Sequence, residues 1–373
     1  MKPANFRELL FQPVIQVQSG QRIPAIDLAR GLAVSLMILS HGVVGLLPYE
    51  DFTDYGQIPI HLITKFSSTL FIIIFGMALA VAFLPKVGTE DWPRLRTKLL
   101  INAVVVFFWY KILTIAELLY LAGPESIKEH LLYQDFPSFV EILGFYALAL
   151  LWVPFVLPLW AKTPLWARLL TPLLLILLNI WVGQHFNFWG IGQIEALFVE
   201  HEDYYTWGQL ARSPLIFLGL LLGELLLVCY AKPGRRLLLF AFLLLASAIS
   251  FGLLFLFSFP DWLKALEQIA ANQGKHPPEM LFMLFSLGGA LALLALSILG
   301  GGLLAKLFLP ITVIGSNALQ AFIFHILVIF IGFRYLLGYW HNVSYEFALT
   351  FTLCLLPATA LWIKVISWIK AHR

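Results

Sequence analysis

Ten long apolar runs constrain this chain more than any other feature: residues 24–47, 62–84, 99–122, 138–157, 165–183, 210–230, 237–257, 279–299, 310–336 and 346–368. Each is close to the roughly 20 residues a helix needs to cross a hydrocarbon layer about 30 Å thick. The runs are continuously apolar rather than alternating, which excludes the strands of a membrane barrel. Backbone in lipid must satisfy its own hydrogen bonds, so helices remain. Of the 373 residues, 60% are hydrophobic and 12% charged, and mean hydropathy is +0.87. No water-soluble fold needs so much apolar surface. The expected fold is all-α and polytopic, with about ten transmembrane helices in a single domain over residues 24–370. Residues 1–23 precede it. They hold Arg7, Glu8, Pro13 and Gln16 and no continuous apolar core, so they do not read as a cleavable signal. Phe6, Leu9, Leu10 and Val14 fall at roughly helical spacing, which suits either a cytoplasmic segment lying on the membrane surface or a solvated tail.

Charge placement orients the runs. Alternate connecting segments hold Lys2, Arg7 and Arg22; Lys86, Arg94, Arg96 and Lys98; Lys162 and Arg168; Lys232, Arg235 and Arg236; Lys306; and Lys364, Lys370 and Arg373. These are sixteen of the 24 basic residues, accompanied only by the acids Glu8, Glu90 and Asp91. The intervening loops carry Glu50, Asp51, Asp54, Glu125, Glu129, Asp135, Glu195, Glu200, Glu202 and Asp203. The positive-inside rule places the basic set, and with it both termini, in the cytoplasm. The plasma (inner) membrane of a bacterium is the expected location. Cys229 and Cys354 both lie in apolar runs, which suggests neither a disulfide framework nor a metal cluster. The opposite loops, 184–209 and 258–278, mix aromatics, acids and amides. That mixture suits sugar binding and an interfacial aromatic belt equally well.

The first run carries an acid, a base and an imidazole where each is costly. Arg30 and His41 are eleven residues apart, about three helical turns, so both project from one face, separated by a rise of about 16 Å. Asp27 lies one turn before Arg30, at pairing distance. Further polar candidates gather in the same half of the bundle as His41. His61 and Lys65 open the second run. Lys111 and Glu117 lie on the third, Glu141 on the fourth and Arg212 on the sixth. Asn317, Gln320 and His325 follow on the ninth. Ionisable residues within spans read as functional by default. Their structural readings are snorkelling of Lys65, Glu141 and Arg212, an ion pair between Lys111 and Glu117, and interhelical hydrogen bonds of the histidines. Two histidines at matching depth, one of them above Arg30, favour a site. An imidazole can take a proton from a hydroxyl or amine and return it to a leaving group. An arginine near the cytoplasmic face suits a phosphate, because its fork matches that geometry. The two ends fit an elongated donor with phosphates at one end and a thioester at the other, which is the shape of coenzyme A.

These residues resemble the transmembrane acyltransferase superfamily, which includes the acyltransferase-3 proteins and the heparan-alpha-glucosaminide N-acetyltransferase branch. The opening stretch from Ile26-Asp27-Leu28-Ala29-Arg30-Gly31 to His41 is similar to the superfamily's Arg-x10-His helix. Gly274-Lys275-His276-Pro277-Pro278-Glu279, followed by Leu287-Gly288-Gly289, resembles a Lys-x-Pro-Pro segment of the heparan-type branch. Gly315-Ser316-Asn317-Ala318-Leu319 through His325 is similar to a late helix ending in histidine. A weaker likeness is Thr69 to Gly76 on the second run. The heparan-type branch often has another residue where His41 stands, so the chain mixes features of both branches. The resemblance implies cytoplasmic acyl-CoA, in particular acetyl-CoA, as donor substrate with no tightly bound cofactor. It also implies a carbohydrate or glycolipid acceptor on the far side. His41 would be the base, with His325 in the site. Arg30, Asp27, Lys111 and Asn317 would hold acyl-CoA, and His61, Lys65, Glu117 and Lys275 would face the acceptor. Membrane lipids and a second copy of the chain are the other expected partners; nucleic acid is not. A proton-coupled transporter or exporter of a sugar- or lipid-linked substrate, using Lys111, Glu117 and the histidines, is the alternative. A structural subunit, whose polar residues only join helices, is a third.

Overall fold

A computed structural model describes residues 23–48, 58–230 and 232–372. The proposed surface segment before Ile23 lies outside the described residues, as do Glu50, Asp51 and Asp54. Everything described is helical or loop, without a strand, and ten helical stretches are long and apolar enough to cross a membrane. In chain order the α-helices are α1 (Pro24–Leu46), α2 (Ile58–Thr64), α3 (Phe66–Ala82), α4 (Trp92–Leu118), α5 (Pro124–Leu131) and α6 (Glu141–Lys162). Then come α7 (Leu165–His185), α8 (Gly192–Phe198), α9 (Gln209–Cys229), α10 (Pro233–Ser258) and α11 (Trp262–Ala270). The last are α12 (Met280–Leu307), α13 (Leu309–Ser316), α14 (Ala318–Leu327), which continues as a π-helix over Val328–Leu336, and α15 (Tyr345–Ala371).

The described chain forms two compact units. The first takes Ile72–Tyr110 and Val140–Arg236. Its helices meet through glycine: a Cβ added at Gly76 would lie 2.1 Å from the Ile216 carbonyl oxygen, and one at Gly219 would lie 2.1 Å from that of Ile73. Small residues let backbones approach where lipid offers no hydrophobic force between helices. Two buried ion pairs add to this contact. Arg168 donates to Glu224 at 2.8 Å, and Trp160 Nε1 donates to the other oxygen of that carboxylate at 2.6 Å. Arg212 grips Glu200 through Nε and NH2 at 2.6 and 3.1 Å. Arg212 is therefore not a snorkelling side chain. It is 3% exposed and fully engaged by a carboxylate from the preceding loop. Arg168, which its charge places in a connecting segment, is likewise buried in the first turn of α7. Glu141 is buried at the start of α6.

The second unit takes Ile23–Phe71, Lys111–Phe139 and Leu237–Arg373. Helix α1 is its axis and packs against α12, α13, α14 and α15. The tightest crossing is glycine on glycine. A Cβ at Gly315 would lie 1.9 Å from the Asp27 carbonyl oxygen and 2.4 Å from the Gly31 nitrogen, and one at Gly31 would lie 1.9 Å from the Ile311 carbonyl oxygen. The far end of α1 is capped by the chain after the π-helix. His341, Asn342 and Val343 donate backbone N–H groups to the Gly45 and Leu46 carbonyls, which a helix end leaves without partners.

The late spans depart from the hydropathy reading. The run 310–336 does not form one helix. Helix α12 extends to Leu307 across a kink at Gly301, whose φ of 47° and ψ of −129° no L side chain adopts easily. The short α13 follows, and the chain leaves helical geometry at Asn317 (φ −138°) before α14 begins. The candidate ninth span is therefore Ala318–Leu336. The second run is broken as well, because Lys65 separates α2 from α3. The Lys65 carbonyl accepts the Ser286 hydroxyl of α12 at 2.9 Å.

Replacing Gly315 with alanine should cost about 3 kcal/mol or more, because the added carbon meets backbone that has no room to yield. Gly302→Ala, with open space around it, should be neutral. Thermal melts of the detergent-solubilised variants check both outcomes.

Candidate active site

The site lies wholly within the second unit and is set by a register. Arg30 follows from the glycine crossing: with no side chain at Gly315, its guanidinium reaches the Gly315 carbonyl at 3.2 Å. That carbonyl belongs to the last turn of α13, where helix carbonyls lack internal partners and the dipole is negative. Asp27 stands 3.7 Å from the same guanidinium nitrogen. Ten residues beyond Gly31 on α1, and ten beyond Gly315 on the other segment, stand His41 and His325. Their rings are hydrogen-bonded, Nδ1 of His41 to Nε2 of His325, at 3.1 Å. The 284 residues separating His41 from His325 also separate Gly31 from Gly315. The two segments thus run in the same direction and meet at both points, α1 as one helix and the other across the break at Asn317.

Hydrogen bonding decides which nitrogen does what. His325 is completely buried, and its Nδ1 lies 2.9 Å from the Ala321 carbonyl, which can only accept. Nδ1 of His325 therefore carries the proton, and Nε2 of the neutral ring is an acceptor. His41 Nδ1 must then donate to it. That leaves the lone pair of His41 on Nε2. A backbone carbonyl thus sets, through one ring, the tautomer of the next.

The ring of His41 is walled by Phe139 and Phe322, edge-on at 5.3 and 6.2 Å between centroids. Phe139 is held from behind. The Glu117 carboxylate accepts the backbone N–H of Ser138 at 2.7 Å and of Phe139 at 3.2 Å. Arg334 in turn caps the end of α4: its NH2 donates to the carbonyls of Ala116, Glu117 and Leu119, and its guanidinium stacks on Phe330 and Trp340. Arg334 is not among the residues that spacing and depth single out in the sequence. Its one signal there is that it is a lone arginine inside the apolar stretch 328–336.

Two lysines belong to the same unit. Lys275 is an electrostatic neighbour of both His41 and Lys65. Lys65 is 5% exposed, so it does not snorkel either, and its Nζ donates to Asn272 Oδ1 at 2.7 Å. His61, on α2 four residues before Lys65, is 4% exposed. His41 and His325 thus form one hydrogen-bonded pair, while Arg30 and Asp27 lie toward the start of α1.

Three expected donor- or acceptor-side residues sit elsewhere in the unit. Asn317 is not on a continuous ninth helix beneath His325. It ends α13, two residues from Gly315, is exposed, and donates its amide to Ser316 Oγ at 2.8 Å. Lys111 is half-buried against the α5 segment, donating to the His130 carbonyl at 3.1 Å with its Nζ 3.6 Å from the Tyr133 ring centre. Burial pushes the Tyr133 hydroxyl up to about 12, so that ring stays neutral beneath the ammonium. Glu117 is the anchor of Phe139 already described.

The match to known families decides what kind of protein this is. A family model described as an acyltransferase domain, acyltransferase-3, covers residues 23–368. The chain belongs to the acyltransferase-3 family. It is accordingly an acyltransferase and an integral membrane protein. No curated protein matches the chain at a significant level. The acyltransferase family match begins at the first described residue, and so takes in α1 and the register from Gly31 to His41.

Glu117→Ala should strand two backbone N–H groups, at a cost of about 1–3 kcal/mol. Hydrogen–deuterium exchange should then rise in peptides spanning residues 136–140 while peptides from α1 stay protected. Equal exchange in both proteins would remove Glu117 as the anchor.

Proposed function

We propose that this acyltransferase moves an acyl group, acetyl in the first instance, from cytoplasmic acyl-CoA to a hydroxyl or amine of a carbohydrate or glycolipid on the extracytoplasmic side of a bacterial inner membrane. The observation that carries this reading is the His41–His325 pair with its tautomer set by Ala321. A base with a lone pair on Nε2, at the end of a helix face that starts with Arg30, fits a donor whose phosphates and thioester lie far apart. The excess of lysine and arginine on one set of connecting segments supports the assignment of sides.

The steps follow from the residues. Nε2 of His41 takes the proton from the acceptor hydroxyl or amine as its oxygen or nitrogen attacks the thioester carbon. Positive charge then develops on His41, and its Nδ1–H bond to His325 strengthens. The thioester oxygen becomes an oxyanion, for which Lys275 is the cation in electrostatic reach of His41. Collapse breaks the carbon–sulfur bond, and the thiolate takes the proton from His41 and leaves as the free thiol of coenzyme A. Arg30 holds the phosphate end and contributes binding rather than chemistry.

Two measurements test this. In transfer assays with the purified protein in nanodiscs, His41→Ala should lower turnover by about 10²–10⁴-fold with an unchanged elution profile. His325→Gln, whose amide oxygen can still accept the His41 proton, should retain about tenfold more turnover than His325→Leu. Near-normal turnover of His41→Ala would remove it as the base. Separately, coenzyme A at about 100 times its Kd should stabilise the wild type by about 2.7 kcal/mol, read as a rise in melting temperature. Arg30→Ala should need a higher concentration for the same rise. Indifference of the wild type to coenzyme A would favour a transported rather than a transferred substrate.

A further inference from the structure

A cavity of about 700 Å³ opens in the first unit where α3 gives way to α4, walled by the cations Lys86, Arg94 and Lys98. The turn that forms it is pinned by its own backbone. Lys86 closes a 3₁₀ turn after α3, its carbonyl accepts both the N–H and the hydroxyl of Thr89, and Gly88 supplies a left-handed φ of 82°. Asp91 also lines the cavity and meets the Lys86 ammonium at 3.5 Å, so among the described residues the wall sets three cations against one carboxylate. Ala82, Leu95 and Ile101 give it an apolar side. The three cations belong to the basic segments that the positive-inside rule assigns to the cytoplasm. Helix α4 joins this cavity to the hydrocarbon. Arg94, Lys98, Ile101, Val105 and Phe108 follow at spacings of four, three, four and three residues, which keeps them on one helix face. All five are exposed in the folded chain. Over about 21 Å of helix rise, a cationic end is thus followed by an apolar stripe. Arg96 is turned elsewhere, its guanidinium carbon 5.9 Å from the ring centre of Phe155 on α6.

A ligand that matches this surface has an anionic head and an apolar tail. We propose that the cavity holds the phosphate of an anionic phospholipid, whose acyl chains lie along Ile101, Val105 and Phe108. Charge and shape both select it. The guanidinium fork of Arg94 suits a phosphate, and lysines beside it add point charges. Basic pockets at the cytoplasmic ends of spans meet a leaflet surface rich in anionic lipid, and each lysine or arginine there strengthens the attraction. A soluble phosphate would use the cations and leave the stripe unused. A zwitterionic phospholipid brings its own cation, which the three basic side chains oppose. The chain's residues 1–22 are poorly matched as an occupant, because they carry Lys2, Arg7 and Arg22 against Glu8 alone, a balance of the same sign as the wall. The lipid site stands apart from the acyl-transfer chemistry, so neither falls with the other.

Native mass spectrometry of the full chain, released from a neutral detergent with phosphatidylglycerol or phosphatidylcholine added in steps, reads lipid retention directly. The wild type should retain phosphatidylglycerol at a concentration at least about tenfold below that needed for phosphatidylcholine. The double variant Arg94→Gln, Lys98→Gln should bind phosphatidylglycerol about 25-fold more weakly, about fivefold for each charge removed. Arg96→Gln removes a neighbouring charge outside the cavity and should stay within about twofold of the wild type. Equal retention of the two lipids overturns the proposal. So does an equal loss in Arg96→Gln and the double variant, which would make the effect one of general surface charge. Glycerol phosphate and coenzyme A separate the sources, since both offer phosphate without acyl chains. Neither should displace phosphatidylglycerol at equal concentration. Displacement by either would make this a site for a soluble phosphate and overturn the lipid assignment. The double variant should melt with the wild type in detergent free of lipid, because both side chains are exposed. A fall of several degrees there would make the two cations structural and overturn their role in lipid binding.

Discussion

Everything in the second unit hangs on the contact between Gly31 and Gly315. Two backbones touch there because neither residue has a side chain, and the touch sets the register of α1 against the α13–α14 segment. A slip of one residue would turn each histidine by about 100° around its helix and separate them. The close approach also brings Arg30 to the end of α13, where a terminal carbonyl and the helix dipole hold its guanidinium. One crossing therefore positions the cation directly and the imidazole pair ten residues away. On α1 one continuous helix carries that positioning, whereas the other segment crosses the break at Asn317 before α14 brings His325 to the same level.

The histidine pair shows how a buried polar group can be satisfied and still remain reactive. His325 commits one nitrogen to a carbonyl and the other to His41, so it has nothing left to exchange. His41 commits only Nδ1. The asymmetry comes from the Ala321 carbonyl, four residues before His325 in the same helix. The order of the proton chain is thus written into local helix geometry and does not depend on a distant charge. Phe139 and Phe322 wall the ring, Glu117 holds the Phe139 backbone, and Arg334 holds the end of α4 and the rings of Phe330 and Trp340 that pack on Phe139.

The number of spans is legible in the sequence because hydropathy reports on length and solvent, and lipid leaves a chain little choice of structure. The Arg30–His41 spacing is legible because it lies within one helix, where period and rise are fixed. The partnership of His41 with His325 can be suspected from matched depth, but the register behind it joins residues 284 positions apart and has no local signal. The break at Lys65 and the short α13 are hidden for the opposite reason: both lie inside apolar runs whose composition does not change where the helix does. Hydropathy misplaces Asn317 on that account, and Gly315 beside it is the clue to a close approach. Sequence position alone makes Arg212 and Arg168 interfacial, because a long cation near a span end is usually solvated. Their carboxylates come from a loop and from a distant helix, which hydropathy cannot see.

The two units hold their buried cations with different partners. In the first, Arg168 meets Glu224 and Arg212 meets Glu200, each pair closed by short charge-assisted hydrogen bonds. Breaking such a pair would leave an uncompensated charge, so both partners are needed for the fold. In the second, Lys65 is also buried and donates to the amide oxygen of Asn272, and the Arg334 guanidinium donates to carbonyls at the end of α4. The chain can supply carboxylates to buried cations, as the first unit demonstrates.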